Sequence, residues 1–165
     1  VGTFAVQIAK ALGAEVTAVC GPRGVEIARS IGADHVIDYT NEDFTRLDRK
    51  FDLMIDIAGT TGFWASRRVL SPDATIVIVG GPKTSRMLGP IGHMLKMRLG
   101  GLFGRRKTVF FIAKFNKADM ETLGEMLASG KIKPVIDKRY TFKDIVGAFR
   151  YMEDGHPQGK VVVTP

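Results

Sequence analysis

The chain has 165 residues, a single cysteine and a formal net charge of +7. That length suits one compact domain with a sizeable core. The lone Cys20 excludes an internal disulfide and any paired-cysteine metal or redox site and favours a reducing compartment, while the lack of a run of about twenty apolar residues excludes a bilayer-spanning helix within this stretch.

The excess charge is local. Between Lys83 and Lys107 there are seven basic residues and no acidic ones, and the rest of the chain is balanced. Any nucleic-acid or anionic-membrane footprint would therefore be confined to that segment.

In chain order, Val1 to Gly13 predicts an amphipathic helix with Phe4, Ala5, Ile8, Ala9 and Leu12 on one face and Gly13 as its stop. A glycine one residue in, then a helix, then the β-branched run Glu15–Cys20, suggests the end of a dinucleotide-binding turn, where helix N–H groups face a pyrophosphate. On that reading the chain is cut inside the motif, and the strand and earlier glycines are expected upstream. Gly21-Pro22 opens a helix through Val25, Ile27, Ala28 and Ile31 to Gly32. His35–Asp38 is the next strand, with Asn41 as cap of a short turn through Phe44. Asp52–Ile57 is a further strand ending in Ala58-Gly59. Thr60 or Thr61 caps a helix to Leu70, and Ser71-Pro72-Asp73 turns into the strand Ala74–Val79, which ends in Gly80-Gly81-Pro82.

The segment from Lys83 to Lys107 breaks this rhythm, although Leu88, Ile91, Leu95, Leu99 and Leu102 recur at helical spacing. Thr108–Ala113 is a strand. Asn116, with Asp119 three residues on, caps a helix that places Met120, Leu123 and Leu127 on one face before Gly130. Pro134–Asp137 is a short extended piece, Thr141 with Asp144 caps a helix through Ile145, Val146, Phe149 and Met152, and Lys160–Thr164 closes the chain as a strand. Alternation of this length predicts an α/β fold, a Rossmann-type doubly wound parallel sheet with helices on both faces. In such a sheet the first strand lies in the middle. Its absence would leave Glu15–Cys20 and Asp52–Ile57 without a shared neighbour, and the chain is expected to be poorly stable alone.

Several stretches resemble the medium-chain dehydrogenase/reductase superfamily in its quinone oxidoreductase-like, zinc-independent branch: VGTFAVQIAKALGAEVTAVC at 1–20, IGADHVIDYTNEDF at 31–44, FDLMIDIAG at 51–59, IVIVGGP at 76–82 and HPQGKVVVTP at 156–165. The resemblance implies a cofactor-binding Rossmann domain over 1–115. Residues 116–165 would then return to a GroES-like catalytic half that this chain does not contain. It also implies hydride transfer between a nicotinamide and a quinone, enone or carbonyl substrate, with the protein orienting the cofactor. A small-molecule substrate, a homodimeric full-length enzyme in the cytoplasm, no nucleic-acid partner and no metal follow as expectations, and the fragment alone would be inactive.

The cofactor residues implied by the resemblance are Val1 and Gly2 at the pyrophosphate, then Gly21, Pro22, Arg23 and Tyr39 at the adenosine end. Gly59, Gly80 and Gly81 follow at strand ends, and Phe111, Ile112 and Ala113 lie near the carboxamide. At the end of Glu15–Cys20 an NAD enzyme usually carries a carboxylate for the ribose 2′-OH. Cys20-Gly21-Pro22-Arg23 carries none and offers a guanidinium for a 2′-phosphate, so NADP(H) is expected ahead of NAD(H). Relatives with Lys one position later differ from this chain, which has Gly24. Arg23 as a solvated first-turn residue and Tyr39 as a half-buried strand-end tyrosine are the plain alternatives. No residue stands out as a catalytic acid or base. Lys160 could reach the active-site side or simply open its strand. His35, His93 and His156 make no metal-ligand spacing with Cys20.

The basic segment 83–107 reads first as a lid or subunit contact, second as a helix on an anionic membrane, and third as an RNA or DNA contact with Phe103 as its stacking ring. A non-catalytic nucleotide- or RNA-binding module using that segment is the competing function. A methyltransferase would want an acidic residue where Cys20-Gly21 stands. A short-chain dehydrogenase would want a Tyr-x-x-x-Lys pair, whose spacing Tyr140 and Lys143 lack.

Overall fold

A computed structural model of the chain describes residues 1–58, 61–79, 106–110, 115–155 and 157–165. They form two compact units, Val1–Glu42 with Asn116–Pro165 and, separately, Asp43–Phe115. All strand pairs in both are parallel.

The first unit begins with helix α1 (Gly2–Ala11), stopped by Gly13 in the left-handed region at φ 83°. Four residues of its expected apolar face, Phe4, Ala5, Ile8 and Ala9, are half-buried. Leu12 is exposed, and the residue that α1 buries is Gln7. The reason is polar: Gln7 Nε2 donates to the carbonyls of Lys133 and Thr3, both at 2.9 Å, and its Oε1 accepts from the Lys133 N–H at 2.7 Å. An amide can serve both backbone groups of one residue, which no apolar side chain could do.

Strand β1 (Thr17–Cys20) pairs with β2 (His35–Asp38), Thr17 opposite His35 and Cys20 opposite Asp38. A 3₁₀ turn at Pro22–Gly24, with proline at its first position, leads into α2 (Val25–Ser30) between them. β1 starts at Thr17 and not at the expected Glu15, because Asp34 takes up Val16. The Val16 N–H donates to Asp34 Oδ2 at 2.7 Å, and the Val16 carbonyl accepts from the N–H groups of Asp34 and His35. The same carboxylate takes Lys10 Nζ at 2.8 Å on both oxygens. Lys10 ends α1 and Asp34 precedes β2. The helix therefore runs antiparallel to the strands, with its N-terminus toward the edge where β1 and β2 end.

In the second unit, Asp43 caps a 3₁₀ turn at Phe44–Arg46, accepting from the Thr45 N–H at 2.9 Å and its hydroxyl at 2.7 Å. Asn41, the expected cap, donates its amide to Asp38 instead. The sheet order is β3 (Phe51–Asp56), β4 (Leu70–Ile78), β5 (Lys107–Phe110). Its core is Leu70, Ala74, Ile76 and Ile78, with Phe51 and Met54 packed against them. The helix expected to reach Leu70 is short: α3 spans Phe63–Ser66, and Arg67–Val69 tightens into a 3₁₀ turn. Ser71-Pro72-Asp73 is not a turn before the strand but an irregularity inside it. Phe51 pairs with Leu70 and Leu53 with Thr75, so three extra residues bulge from β4. A bulge tolerates a proline with no N–H to donate. Arg106 Nη2 donates to the Leu70 carbonyl at 2.8 Å, and the Ser71 hydroxyl to Asp52 Oδ1 at 2.7 Å. Thr60 and residues 80–105 and 111–114 lie outside the described residues, so the cap expected at Thr60 and nearly all of the 83–107 segment do too.

Back in the first unit, Asn116 caps α4 (Lys117–Ala128), its Oδ1 accepting from the Ala118 N–H at 3.0 Å. This helix buries no residue, and Met120 and Leu127 of its apolar face are exposed. The extended piece expected at Pro134–Asp137 is the start of a longer strand, β6 (Ile136–Thr141). It pairs with β7 (Lys160–Thr164), which has the bounds the sequence predicts. A 3₁₀ turn at Phe142–Asp144 and α5 (Ile145–Glu153) join them. Neither Thr141 nor Asp144 makes the expected side-chain cap bond.

Two substitutions test this packing. Gln7→Leu leaves both backbone groups of Lys133 without their partners and is expected to cost about 2 kcal/mol in a urea melt. Unchanged stability would show that the amide pair is ornamental. Gly159→Ala drives a methyl group into the Val135 carbonyl, which already accepts from the Lys160 N–H at 2.7 Å. It should lower stability by roughly 1–3 kcal/mol by overpacking, and a neutral result would mean that the start of the β6–β7 pair is free to shift.

Candidate functional site

The sequence-predicted residues that the structure brings together are those at the C-terminal edge of β1 and β2. β1 ends at Cys20 and β2 at Asp38, opposite each other, and the Tyr39 N–H donates to the Cys20 carbonyl at 3.1 Å. Tyr39 therefore folds back over the start of the β1–α2 turn. A Cβ on Gly21 would lie 3.1 Å from the Tyr39 hydroxyl. Glycine at 21 is what lets the ring sit there, and the ring itself is 63% exposed. Pro22 starts the 3₁₀ turn, Arg23 follows, and a Cβ on Gly24 would meet Cys20 Cβ at 3.1 Å and its Sγ at 3.3 Å. Burial, with the Asp38 carboxylate second, pushes the Cys20 thiol up, so it stays protonated at neutral pH and is a poor nucleophile.

The N-terminus of α1 points to the same edge. Val1 precedes the helix with no side-chain cap bond, and the first turn holds no acidic residue. Lys160 Nζ lies 5.5 Å from the centre of the Phe4 ring, bringing a cation beside that turn. A helix start with free N–H groups and no competing acid suits an anion.

Two carboxylates that sequence reasoning passed over complete this edge. Asp38 is held by its own loop, accepting from the Thr40 N–H at 3.0 Å, the Thr40 hydroxyl at 2.8 Å and the Asn41 amide at 3.0 Å. Asp137, on β6, accepts from the Tyr151 hydroxyl at 2.7 Å and the Gln158 N–H at 2.6 Å on the same oxygen. The Tyr151 hydrogen bond above all, then the Gln158 N–H and the charges of Lys138 and Arg23, outweigh burial and hold the Asp137 carboxyl below the usual carboxylate range. The same bond pushes the Tyr151 hydroxyl up. The edge is therefore richer in carboxylate than Cys20-Gly21-Pro22-Arg23 suggested. Asp38 carried a signal as the last residue of a predicted strand; Asp137 carried none.

Gly59, Gly80, Gly81 and Phe111–Ala113 lie outside the described residues. In the second unit, Asp56 is a buried carboxylate at the end of β3. Among the described residues no group of three or more His, Cys, Asp or Glu side chains could hold a metal.

Comparison with known proteins places this chain in a family. The model of the family described as zinc-binding dehydrogenase matches residues 31–163. A trans-enoyl reductase of Aspergillus terreus is 35% identical over 98% of this chain and 48% of its own length. A mitochondrial NAD(P)H oxidoreductase of Mus musculus is 35% identical over 99% of this chain and 45% of its own. The chain thus spans about half the length of the curated relatives it matches. Among solved structures, a putative alcohol dehydrogenase from Sinorhizobium meliloti aligns with a TM-score of 0.74 and 32% identity, over 97% of this chain and 46% of that one. A quinone oxidoreductase from Coxiella burnetii aligns with a TM-score of 0.77 over 96% of this chain and 47% of that one, and at 24% identity it bears on the fold alone. The chain belongs to the zinc-binding dehydrogenase family of the medium-chain dehydrogenase/reductase superfamily, and its fold is the Rossmann-type α/β fold of that superfamily's nucleotide-binding domain.

Proposed function

We propose that this chain is the cofactor-binding part of an NADPH-dependent oxidoreductase that passes hydride to a quinone, enone or carbonyl substrate. Residues 1–115 would form the nucleotide-binding domain, and 116–165 would return to a catalytic half, the whole enzyme working as a homodimer. The observation that carries this reading is the β1 edge, where the exposed Tyr39 ring sits over Gly21, and Pro22 and Arg23 follow in the turn. The exposed ring offers a face and a hydroxyl to an adenosine. The guanidinium offers a bidentate partner to a 2′-phosphate, and the acid-free start of α1 offers N–H groups to the pyrophosphate. When bound, the nicotinamide supplies the hydride; this chain's residues bind and orient it.

Two further observations support the reading. Relatives over the same stretch are named as a trans-enoyl reductase and an NAD(P)H oxidoreductase. The exposed apolar side chains of α4 (Met120, Leu127) and α5 (Val146, Phe149, Met152) are what a segment docking onto another half would present.

Fluorescence titration of the protein with NADPH and NADH tests the proposal. NADPH should bind more tightly. Arg23→Ala should weaken NADPH on the order of tenfold or more, the loss of one charge-assisted contact, and leave NADH within about twofold. A wild-type preference for NADH would rule the NADPH assignment out.

A further inference from the structure

The residues assigned above to the adenosine end run from Gly21 to Tyr39, yet one side chain from the far end of the chain stands beside them. A Cβ on Gly24, the last residue of the 3₁₀ turn after β1, would find Cys20 Cβ at 3.1 Å, Cys20 Sγ at 3.3 Å and Gln158 Oε1 at 3.8 Å. The Gln158 amide therefore lies against the turn, at the residue that follows Arg23. Its backbone holds it there. The Gln158 N–H donates to Asp137 Oδ2 at 2.6 Å, the oxygen that also takes the Tyr151 hydroxyl at 2.7 Å. The next two residues are fixed as well, since Gly159 has no room for a Cβ against the Val135 carbonyl, which accepts from the Lys160 N–H at 2.7 Å. Gln158 itself is half-buried, so part of it is open to solvent. A side-chain amide on a pinned backbone is a preorganised polar group at this edge.

We propose that Gln158 is a specificity-determining residue of the cofactor site, its side-chain amide bonding the adenosine ribose at the 2′ position. The proposal rests on the assignment of this edge to the adenosine end of a dinucleotide. It adds that the segment 116–165, which packs in one unit with Val1–Glu42, supplies part of the cofactor wall. An amide carries both a donor and an acceptor. Nε2 can donate to a 2′-phosphate, and Oε1 can accept from a free 2′-hydroxyl. Gln158 thus serves either dinucleotide and leaves the preference for NADPH to Arg23. A carboxylate in its place would accept from the 2′-hydroxyl, as the acidic residue of an NAD site does, and would repel a 2′-phosphate. The neutral amide keeps the phosphate admissible on an edge that already carries Asp38 at the end of β2.

Gln158→Glu is close to isosteric and keeps the backbone bond to Asp137. Titrated calorimetrically, it should bind NADPH more than about tenfold more weakly than wild type, through the like charge beside the phosphate, and NADH within about twofold or more tightly. Gln158→Leu keeps the bulk and removes the amide. It should weaken NADPH and NADH alike by about three- to tenfold, the loss of one hydrogen bond, and 2′,5′-ADP by the same factor, because the contact lies at the ribose. This second variant carries the test if Gln158→Glu does not fold. An NADPH-to-NADH ratio unchanged in Gln158→Glu, affinities unchanged in Gln158→Leu, or a loss in Gln158→Leu that spares 2′,5′-ADP would each overturn the role of Gln158 and leave the assignment of the edge standing. If the wild-type protein binds none of the three nucleotides, the assignment of the edge itself fails.

Discussion

The pairing of the Gln7 amide with both backbone groups of Lys133 is the contact on which the arrangement of the first unit depends. Its two partners are 126 residues apart, and the bonds measure 2.9 and 2.7 Å. By fixing Lys133 it fixes the chain that enters β6 at Ile136, and so where Asp137 stands. Lys160, which opens β7, lies over the Phe4 ring one turn earlier on the same helix. One helix thus carries the starts of both strands of the C-terminal pair. Such a contact closes a very long loop, and chain entropy must be overcome before it gives any return.

The electrostatics of the edge follow from that placement. Arg23, Lys138 and Lys160 stand on one side of the balance, Asp38 and Asp137 on the other. This is not the uniform cationic field that draws in any polyanion. Each carboxylate is already held by hydrogen bonds from its own loop or sheet.

Much of the fold was legible along the chain because its signals are local. The β-branched runs at Thr17–Cys20, His35–Asp38 and Lys160–Thr164 are strands, Gly13, Gly32 and Gly130 end helices at positive φ, and Asn116 caps the helix after it. The turn after β1 was legible for the same reason: a glycine and a proline directly after a strand open the next helical turn. What sequence could not show depends on partners far away. Gln7 breaks the apolar face of its helix, and only Lys133 explains why it is buried. Ser71-Pro72-Asp73 has the composition of a turn and becomes a bulge because Arg106 and Asp52 bond to the residues around it. Asp137 looks like an ordinary surface carboxylate until Tyr151 and Gln158 are brought to it.

The central claim is that the adenosine end of a nicotinamide dinucleotide lies on the β1–β2 edge. The most direct test is amide chemical-shift mapping with 2′,5′-ADP, which isolates that end of NADP from the nicotinamide. The claim requires the largest shifts at Gly21, Arg23 and Tyr39, with a second, weaker group at the start of α1 around Gly2 and Thr3. Shifts absent there, or concentrated on residues away from the ends of β1 and β2, would contradict it.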